Sequence, residues 1–311
     1  MTENVELLIN PSNDYWQQLC KLIVEEEDWL NALHDYETWR SAFGDDFKLI
    51  VAVDKETKAL IGSISVTQYH GQDDLSIIGC FFVTKQNRGK GVGQFLFEEA
   101  KKQCTNHKFL FGAASMTKKY AEVHQFDKLP DYAVIRRTIV INRLRPLLLN
   151  NDPTLILKHP AAVGWDHIAK YLQKYSRTLQ TIHCVKALMT QPGAHPLVAL
   201  TTEDRIVAIG VVKEQYNQTL SVGPLLGNDP IATSTVLRGI LLNIDNLMDF
   251  KKFVMESPTN NEESDKMIRQ LSEGHYEAHF GHELQPQFTD SVVSLPDAHI
   301  YGIGQSDVSL I

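Results

Sequence analysis

The sequence has little of what a secreted or membrane-embedded chain shows. Its 311 residues include only four cysteines, none of them in a Cys-x-x-Cys pair. The start, "MTENVELLIN", lacks the basic residues and apolar stretch of a secretory signal. No apolar run approaches the roughly 18 to 20 residues that a membrane-spanning helix needs. These absences predict a reduced, cytoplasmic protein with no membrane partner.

The sequence also has fewer basic than acidic residues. Lysine and arginine number 30 against 38 aspartates and glutamates, which gives a formal net charge of −8. Because nucleic acids and anionic membranes bind basic surfaces, this balance argues against a nucleic-acid partner and suits a cationic substrate better. The 43% hydrophobic and 22% charged content, with only 12 prolines, is typical of a folded globular chain.

An internal repeat divides the chain. The segment "LIVAVDKETKALIGSISVTQY" at residue 49 resembles "LVALTTEDRIVAIGVVKEQY" at residue 197. Between the two, residues 143–154, "RLRPLLLNNDPT", interrupt the regular pattern with two prolines and two asparagines. We therefore expect two α/β (α+β) domains of shared topology, residues 1–145 and 153–311.

A glycine-rich turn in the first half is the strongest candidate for a binding site. Residues 75–83, "LSIIGCFFV", are continuously apolar and predict a central strand. The turn "TKQNRGKGVG" follows, and then apolar residues recur at helical spacing. A helix that begins at such a turn presents unpaired main-chain N–H groups and the positive end of its dipole. The turn therefore predicts a phosphate-binding cradle.

Spacing separates the phosphate-binding motifs that could apply. A P-loop needs Ser or Thr directly after a Gly-Lys pair, and here Gly91 follows Lys90. The dinucleotide fingerprint Gly-x-Gly-x-x-Gly fails as well, because its last glycine would fall on Gln94 or Leu96. These two readings are excluded.

The pattern Arg/Gln-x-x-Gly-x-Gly/Ala does fit. Arg88, Gly91 and Gly93 fill it, and an overlapping frame that begins at Gln86 and contains Gly89 fills it again. Placed between a strand and a helix, "FFVTKQNRGKGVGQFLFEEA" resembles the central motif of the GNAT superfamily of acetyl-CoA-dependent N-acetyltransferases. A strand-to-helix turn with no ligand is the structural alternative.

The resemblance continues into the second half. "LSVGPLLGNDPIATSTVLRGILLNI" and the closing "HIYGIGQSDVSLI" are similar to the C-terminal partner domain of a two-domain GNAT subgroup. The resemblance implies tandem GNAT-like domains, each a mixed, mostly antiparallel sheet flanked by helices. Because "GNDPIAT" replaces the phosphate loop, residues 153–311 are expected to form a degenerate domain that does not bind CoA.

The resemblance also implies how acetyl-CoA binds as the cosubstrate. The pyrophosphate meets main-chain N–H groups of the loop, the pantetheine arm follows the preceding strand, and the N–H of Phe81 or Val83 polarises the thioester carbonyl. The cofactor-binding residues predicted in this way are Phe81, Phe82, Val83, Arg88, Gly89, Lys90, Gly91, Val92 and Gly93.

Two further residues are candidates for proton transfer. The resemblance implies a tyrosine acid, and Tyr120 is nearest, although it precedes Phe126 by six residues where the family has five and Gln125 stands in place of a glycine. Helix packing is the alternative for this tyrosine. Glu26, in the acidic run "EEED" that ends the first helix, is the candidate base, with a solvated helix end as the alternative. His34, Tyr69 and His70 are further candidates for the base.

The expected function is direct acetyl transfer to a primary amine, with a small molecule preferred over a protein lysine. A catalytically decayed acetyl-CoA sensor or scaffold is one alternative, and a homodimeric module that uses an exposed strand edge is another. Cys80 in its buried strand is expected to be inert. The histidines of "GHYEAHFGHE" are expected at a surface or interface, so no metal is expected.

Overall fold

The structure is a computed structural model that describes residues 3–71, 74–105, 107–176 and 178–311. The first half contains strands β1 (Val5–Ile9), β2 (Phe47–Asp54), β3 (Leu60–Tyr69), β4 (Leu75–Val83), β5 (His107–Ala113) and β6 (Val134–Val140). Its helices are α1 (Asn13–Glu27), α2 (Asp35–Phe43), α3 (Val92–Lys101) and α4 (Thr117–His124).

The second half repeats this order with additions. Its strands are β7 (Ile156–Lys158), β8 (Ala194–Leu200), β9 (Ile206–Gln215), β10 (Thr219–Gly227), β11 (Lys252–Pro258), β12 (Glu277–Ala278), β13 (Leu284–Phe288) and β14 (Ile300–Gly302). Its helices are α5 (Pro160–Val163), α6 (Trp165–Leu172), α7 (Leu179–Thr190), α8 (Pro230–Leu242) and α9 (Glu262–Leu271).

All of these strands join one mixed sheet that is mostly antiparallel. Its order is β1-β2-β3-β4-β5-β13-β6-β11-β10-β9-β8-β7, with β12 on β6 and β14 on β10. The only parallel pairs in the described chain are β4 with β5 and β10 with β11. The mixed, helix-flanked sheet that the sequence predicts is confirmed.

The two halves exchange strands at the centre of the sheet. β6 pairs along its whole length with β11 of the second half, from Val134↔Pro258 to Val140↔Lys252. In return β13 of the second half pairs with β5, from Leu284↔Ala113 to Phe288↔Phe109. The sheet therefore runs across the seam in the chain, and the predicted domain limits, residues 145 and 153, stay a prediction.

Helices cover both faces of the first half. The apolar spacing of α1 buries Trp16, Leu19 and Ile23, as predicted, on the face that α1 and α2 cover. The other face packs against α3 and α4 through Leu96 and Phe97. No helix in the described part of the chain is long and apolar enough to cross a membrane.

Each parallel pair diverges after four residues and leaves a V-shaped opening in the sheet. β4 and β5 are paired from Leu75↔His107 to Ile78↔Leu110. β10 and β11 are paired from Thr219↔Lys252 to Val222↔Met255. An irregularity in β4 and one in β10 lie just past these points. Each half of the chain therefore has one such opening, beside β4 in the first half and beside β10 in the second.

Candidate acetyl-CoA site

The predicted phosphate loop is open and held by two left-handed glycines. Gly89 and Gly91 have φ of +74° and +84°, and a Cβ added to either would meet no atom within 4 Å. Glycine adopts these angles without the steric cost that a side chain brings. Gly91 is the N-cap of α3, so no capping side chain covers the start of this helix.

The start of α3 therefore has donors to offer a ligand. The first bond of the helix joins Phe95 N to Gly91 O over 3.1 Å, and helix geometry leaves the N–H groups of Val92, Gly93 and Gln94 without an intrahelical acceptor. No acidic residue lies in the first turn. The loop fits a pyrophosphate, because N–H groups and the helix dipole both favour an anion there.

Arg88 holds this loop to its surroundings. Its Nε donates to Val83 O over 2.8 Å, and its guanidinium forms ion pairs with Glu27 and, at 3.7 Å, Glu26. Glu26 also accepts a hydrogen bond from Lys85 N over 3.1 Å. The structure thus places Glu26 against the loop that contains Arg88. Its role as a base stays a prediction.

The free edge of β4 faces the first opening. Thr84 N donates to Ile61 O of β3 over 2.9 Å, so the alternation of a strand directs the N–H of Val83 to the opposite edge. Phe81 and Val83 are half-buried, whereas Phe82 is buried and its ring lies 6.5 Å from that of Trp29. Val83 is therefore a suitable edge donor for an amide-like ligand.

Tyr120 lies behind the opening among aromatic rings. Its ring centroid is 5.8 Å from Phe97 and 6.5 Å from Phe126, and Phe97 in turn lies 5.4 Å from Phe81. Burial raises the pKa of the Tyr120 hydroxyl far above its ordinary value, which keeps it protonated. The packing role that was the alternative is observed, and the acid role stays a prediction.

The second opening is closed by the chain itself. β14 pairs with β10 beyond the point of divergence, at Leu225↔Gly302. A Cβ on Gly223 would lie 1.7 Å from Ile303 O, so main chain packs directly on main chain there. At the start of α8, Asp229 accepts a hydrogen bond from Ala232 N over 2.9 Å. A carboxylate thus stands where a phosphate would bind.

The weaker candidates for the base lie in different places. His70 bonds Asp46 at 2.9 Å on an exposed turn. The Tyr69 hydroxyl donates to Val308 O over 2.7 Å inside the fold. Nε2 of His34 is buried and has no partner among the described residues.

Neither Cys80 nor the histidine-rich segment forms a catalytic or metal site among the described residues. Burial raises the pKa of the Cys80 thiol far above its usual value, so the reactive thiolate is disfavoured. His279 shares a hydrogen bond of 2.9 Å with Thr138 Oγ1. Within the ranges that the structure describes, no group of three or more His, Cys, Asp or Glu could hold a metal ion.

Sequence reasoning missed a group of polar residues at the β4 bulge. Asp307 accepts hydrogen bonds from the main-chain N–H of Cys80 and from Asn31 Nδ2, and the buried Asp35 senses the charges of both Asp307 and Lys213. The one local signal was Gly79, a glycine inside an apolar strand, which often marks a close approach of another main chain.

Comparisons with known proteins found one family model and several solved structures of similar fold. A family model described as "Protein of unknown function (DUF1248)" matches residues 2–135. No curated protein matches the chain. A protein from Pyrococcus horikoshii, assigned provisionally as an acetyltransferase, superposes with a TM-score of 0.71 at 12% identity, over 99% of this chain and 96% of that chain.

Two further solved structures are similar. A tandem GNAT protein from the clavulanic acid biosynthesis pathway gives a TM-score of 0.61 at 12% identity, over 93% of this chain and 100% of that chain. A GCN5-related N-acetyltransferase from Sphaerobacter thermophilus gives 0.58 at 10% identity, over 99% of both chains. At such identities the likeness establishes the fold alone. The chain has the tandem GNAT fold, as its sequence motifs predicted.

Proposed function

We propose that the chain is an acetyl-CoA-dependent N-acetyltransferase with one acetyl-CoA site, in its first half. The supporting observation is the contrast between the two openings. The first has an uncapped helix start, at Gly91, and a free strand edge, whereas β14 and Asp229 occupy the corresponding places in the second. The fold neighbours support acetyl transfer as the chemistry.

In this proposal the loop binds the pyrophosphate of acetyl-CoA and the edge of β4 binds its thioester. Main-chain N–H groups from Gly89 to Gly93 take the pyrophosphate, and Arg88 keeps the loop in place. The N–H of Phe81 or Val83 donates to the thioester carbonyl oxygen. A fixed donor aimed at the charge that develops on this oxygen contributes a few kcal/mol to catalysis, about 3 to 4 kcal/mol in the best cases.

The acceptor in this proposal is the primary amine of a small molecule, which attacks the thioester directly. The net charge of −8 suits a cationic acceptor. Tyr120 is the candidate acid for the departing thiolate, and its protonated state is compatible with that role. Glu26 is the candidate base from the sequence.

Release of the CoA thiol in the presence of a panel of primary amines tests the function. We expect turnover with at least one of 1,4-diaminobutane, 2-phenylethylamine and glucosamine. Tight acetyl-CoA binding without thiol release from any amine would instead favour the sensor, and a chain that does not bind acetyl-CoA would contradict both.

A matched pair of glycine variants connects the activity to the loop. Gly91 and Gly281 have φ of +84° and +83°, and both have open space around them. Gly91→Ala and Gly281→Ala should therefore cost similar stability, about 1 kcal/mol. Only Gly91→Ala should weaken acetyl-CoA binding, by about tenfold, because its methyl group intrudes on the cradle. Equal binding by both variants would argue against the loop.

A further inference from the structure

The two faces of β4 beside the first opening are covered differently. The side chains of Phe81 and Val83 lie under α3, because a Cβ on Gly93 would lie 3.3 Å from Phe81 Cζ and 3.7 Å from Val83 Cγ2. The side chain of Phe82 points to the other face, where it packs in the core cluster that contains residues of α1 and α2. Because α3 and the predicted phosphate loop occupy the first face, the second face is the one left for an acceptor to reach the thioester.

Trp29 lies over Phe82 on this second face. The two ring centroids are 6.5 Å apart and the ring planes are at 71°, which is an edge-to-face contact. Phe82 is 2% exposed, whereas Trp29 is half-buried. The indole N–H of Trp29 makes no hydrogen bond within the described chain, and unlike that of Trp39 it is not sealed from solvent. Trp29 therefore presents part of its ring at the surface.

Phe111 lies on the other side of the opening. It follows Leu110, the last residue of β5 that pairs with β4. Strand alternation places it on the same face as Phe109, and the two ring centroids are 4.8 Å apart. Phe109 belongs to the same core cluster as Phe82, and Phe111 is half-buried and packs against that cluster. Aromatic side chains with accessible surface therefore lie on both sides of the opening, Trp29 beside β4 and Phe111 on β5.

Contacts from the second half fix the segment that contains Trp29. Lys252 Nζ, on β11, donates to both carboxylate oxygens of Asp28, over 2.7 and 2.8 Å. Two residues beyond Trp29, the carbonyl oxygen of Asn31 accepts from Tyr216 N, which follows β9, over 2.9 Å. A ring whose main chain is fixed on both sides loses little freedom when a ligand packs against it. The position of Trp29 therefore depends on both halves of the chain.

The surroundings of Trp29 favour an aromatic ligand over a polycation. Asp28 is paired with Lys252 at 2.7 Å, and Glu256 is paired with Arg136 at 2.8 Å. Arg136 also donates to Asp28 O over 2.6 Å, which brings both ion pairs next to Trp29. Carboxylates that already have basic partners offer little to a second ammonium group. An aromatic ring, by contrast, gains from edge-to-face and offset contacts with other aromatic rings.

We propose that Trp29 and Phe111 form the wall of the acceptor site, that Trp29 determines its specificity, and that the acceptor is an arylalkylamine, a primary amine whose short alkyl chain carries an aromatic ring. This inference rests on the acetyltransferase function proposed above and adds the class of its acceptor. The ring of the acceptor packs against Trp29, and its alkyl chain carries the amine into the opening beside β4. There the neutral amine nitrogen forms a C–N bond with the thioester carbonyl carbon, the C–S bond breaks, and one proton of the amine passes to the sulfur.

The first test compares two amines from the panel on the wild type. CoA thiol release gives kcat/KM for 2-phenylethylamine and for 1,4-diaminobutane, which has a second ammonium group in place of a ring. We expect 2-phenylethylamine to be the better substrate by about tenfold or more, the size of effect that an apolar contact supplies to specificity. A diamine that is acetylated as well as 2-phenylethylamine would overturn the acceptor class.

The second test separates a specificity role of Trp29 from a structural one. Trp29→Ala should lower kcat/KM for 2-phenylethylamine by about tenfold or more, mainly through KM. It should leave kcat/KM for ethylamine almost unchanged, because ethylamine has the same chain and no ring to pack against Trp29. Trp29→Phe keeps a ring and should restore kcat/KM for 2-phenylethylamine to within about threefold of the wild type. A structural role alone would lower kcat/KM for both amines alike.

Trp165→Ala is the control, because Trp165 is also half-buried but lies on α6 of the second half, 5.5 Å from Lys186 Nζ. It should keep the wild-type KM for 2-phenylethylamine, and acetyl-CoA affinity, measured by calorimetry, should be unchanged in every variant. If Trp29→Ala does not fold, Trp29→Phe replaces it in a binding test. 2-Phenylethylamine should quench the tryptophan fluorescence of the wild type and leave that of Trp29→Phe unchanged.

The outcomes distinguish the two proposals. Equal losses with 2-phenylethylamine and ethylamine in Trp29→Ala, or equal quenching in the wild type and Trp29→Phe, would overturn the role of Trp29 while leaving the acetyltransferase intact. A wild type that binds acetyl-CoA and acetylates no amine would overturn the proposed function itself.

Discussion

The two halves begin equivalent helices in opposite ways. α3 starts at Gly91, with no side chain at its cap, whereas α8 starts at Asp229, whose carboxylate accepts from Ala232 N. A helix start favours one anion, which is either a ligand or a residue of the chain. The second half places a carboxylate of its own at this position, and the first half leaves the position without one.

The strand openings differ in the same sense. Both parallel pairs part after four residues, yet β14 fills only the opening beside β10. Beside β4 the described chain supplies no strand to the same place, and Asp307 instead contacts the bulge at Cys80. The opening beside β10 is thus filled by β14, whereas no strand of the described chain fills the opening beside β4.

Gly223→Ala tests the filled opening and has the largest expected effect. Its methyl group would overlap Ile303 O, which lies 1.7 Å from the Cβ position. We expect a loss of about 3 kcal/mol in the free energy of unfolding, measured with urea. Gly281→Ala, at φ +83° in open space, is the control and should cost about 1 kcal/mol. Equal losses would mean that the main chain does not pack here.

Gly91→Asp makes the first loop resemble the second. The new carboxylate would compete for the N–H groups of α3 and repel the pyrophosphate. We expect acetyl-CoA affinity to fall at least 100-fold, whereas Gly91→Asn, with the same shape and no charge, should lose about tenfold. Calorimetry on the two variants measures the difference. If the aspartate and asparagine variants bind equally, charge at the helix start is not what separates the halves.

Arg88→Ala removes the hydrogen bond from Arg88 to Val83 O and the ion pair with Glu27. We expect acetyl-CoA to bind about tenfold more weakly, or about 1.4 kcal/mol. The melting temperature should change by only a few degrees, because a half-exposed ion pair contributes about 1 kcal/mol or less. A variant that binds normally would count against the assignment of this loop.

Lys90→Gln should have the smallest effect. Lys90 is exposed on the loop, so its attraction for the pyrophosphate is screened by solvent and salt. We expect about threefold weaker acetyl-CoA binding at low ionic strength and almost no difference at 0.5 M salt. A loss that persists at high salt would indicate direct contact between Lys90 and the ligand.

The sequence could predict features that depend on neighbouring residues. Alternating glycines after an apolar strand predict the loop. The repeat that begins at residues 49 and 197 predicts that the β2–β3 hairpin and the β8–β9 hairpin have the same structure. Each strand, turn or glycine pattern is formed by residues adjacent in sequence, so local periodicity and turn chemistry are enough.

Features that join distant residues were beyond such patterns. The pairing of β6 with β11 and of β13 with β5 depends on which edge each half leaves open, not on the strands alone. The bond between Asp307 and Cys80 spans 227 positions, and neither residue carries a motif. Gly79 could only have indicated that some main chain approaches β4.

The number of acetyl-CoA molecules that bind each chain tests the central claim most directly. Titration of acetyl-CoA into the wild-type protein, followed by calorimetry, should give one site per chain, and Gly91→Asp should remove it. Two sites per chain, or one site that survives in Gly91→Asp, would contradict the account, because the second half would then bind despite β14 and Asp229.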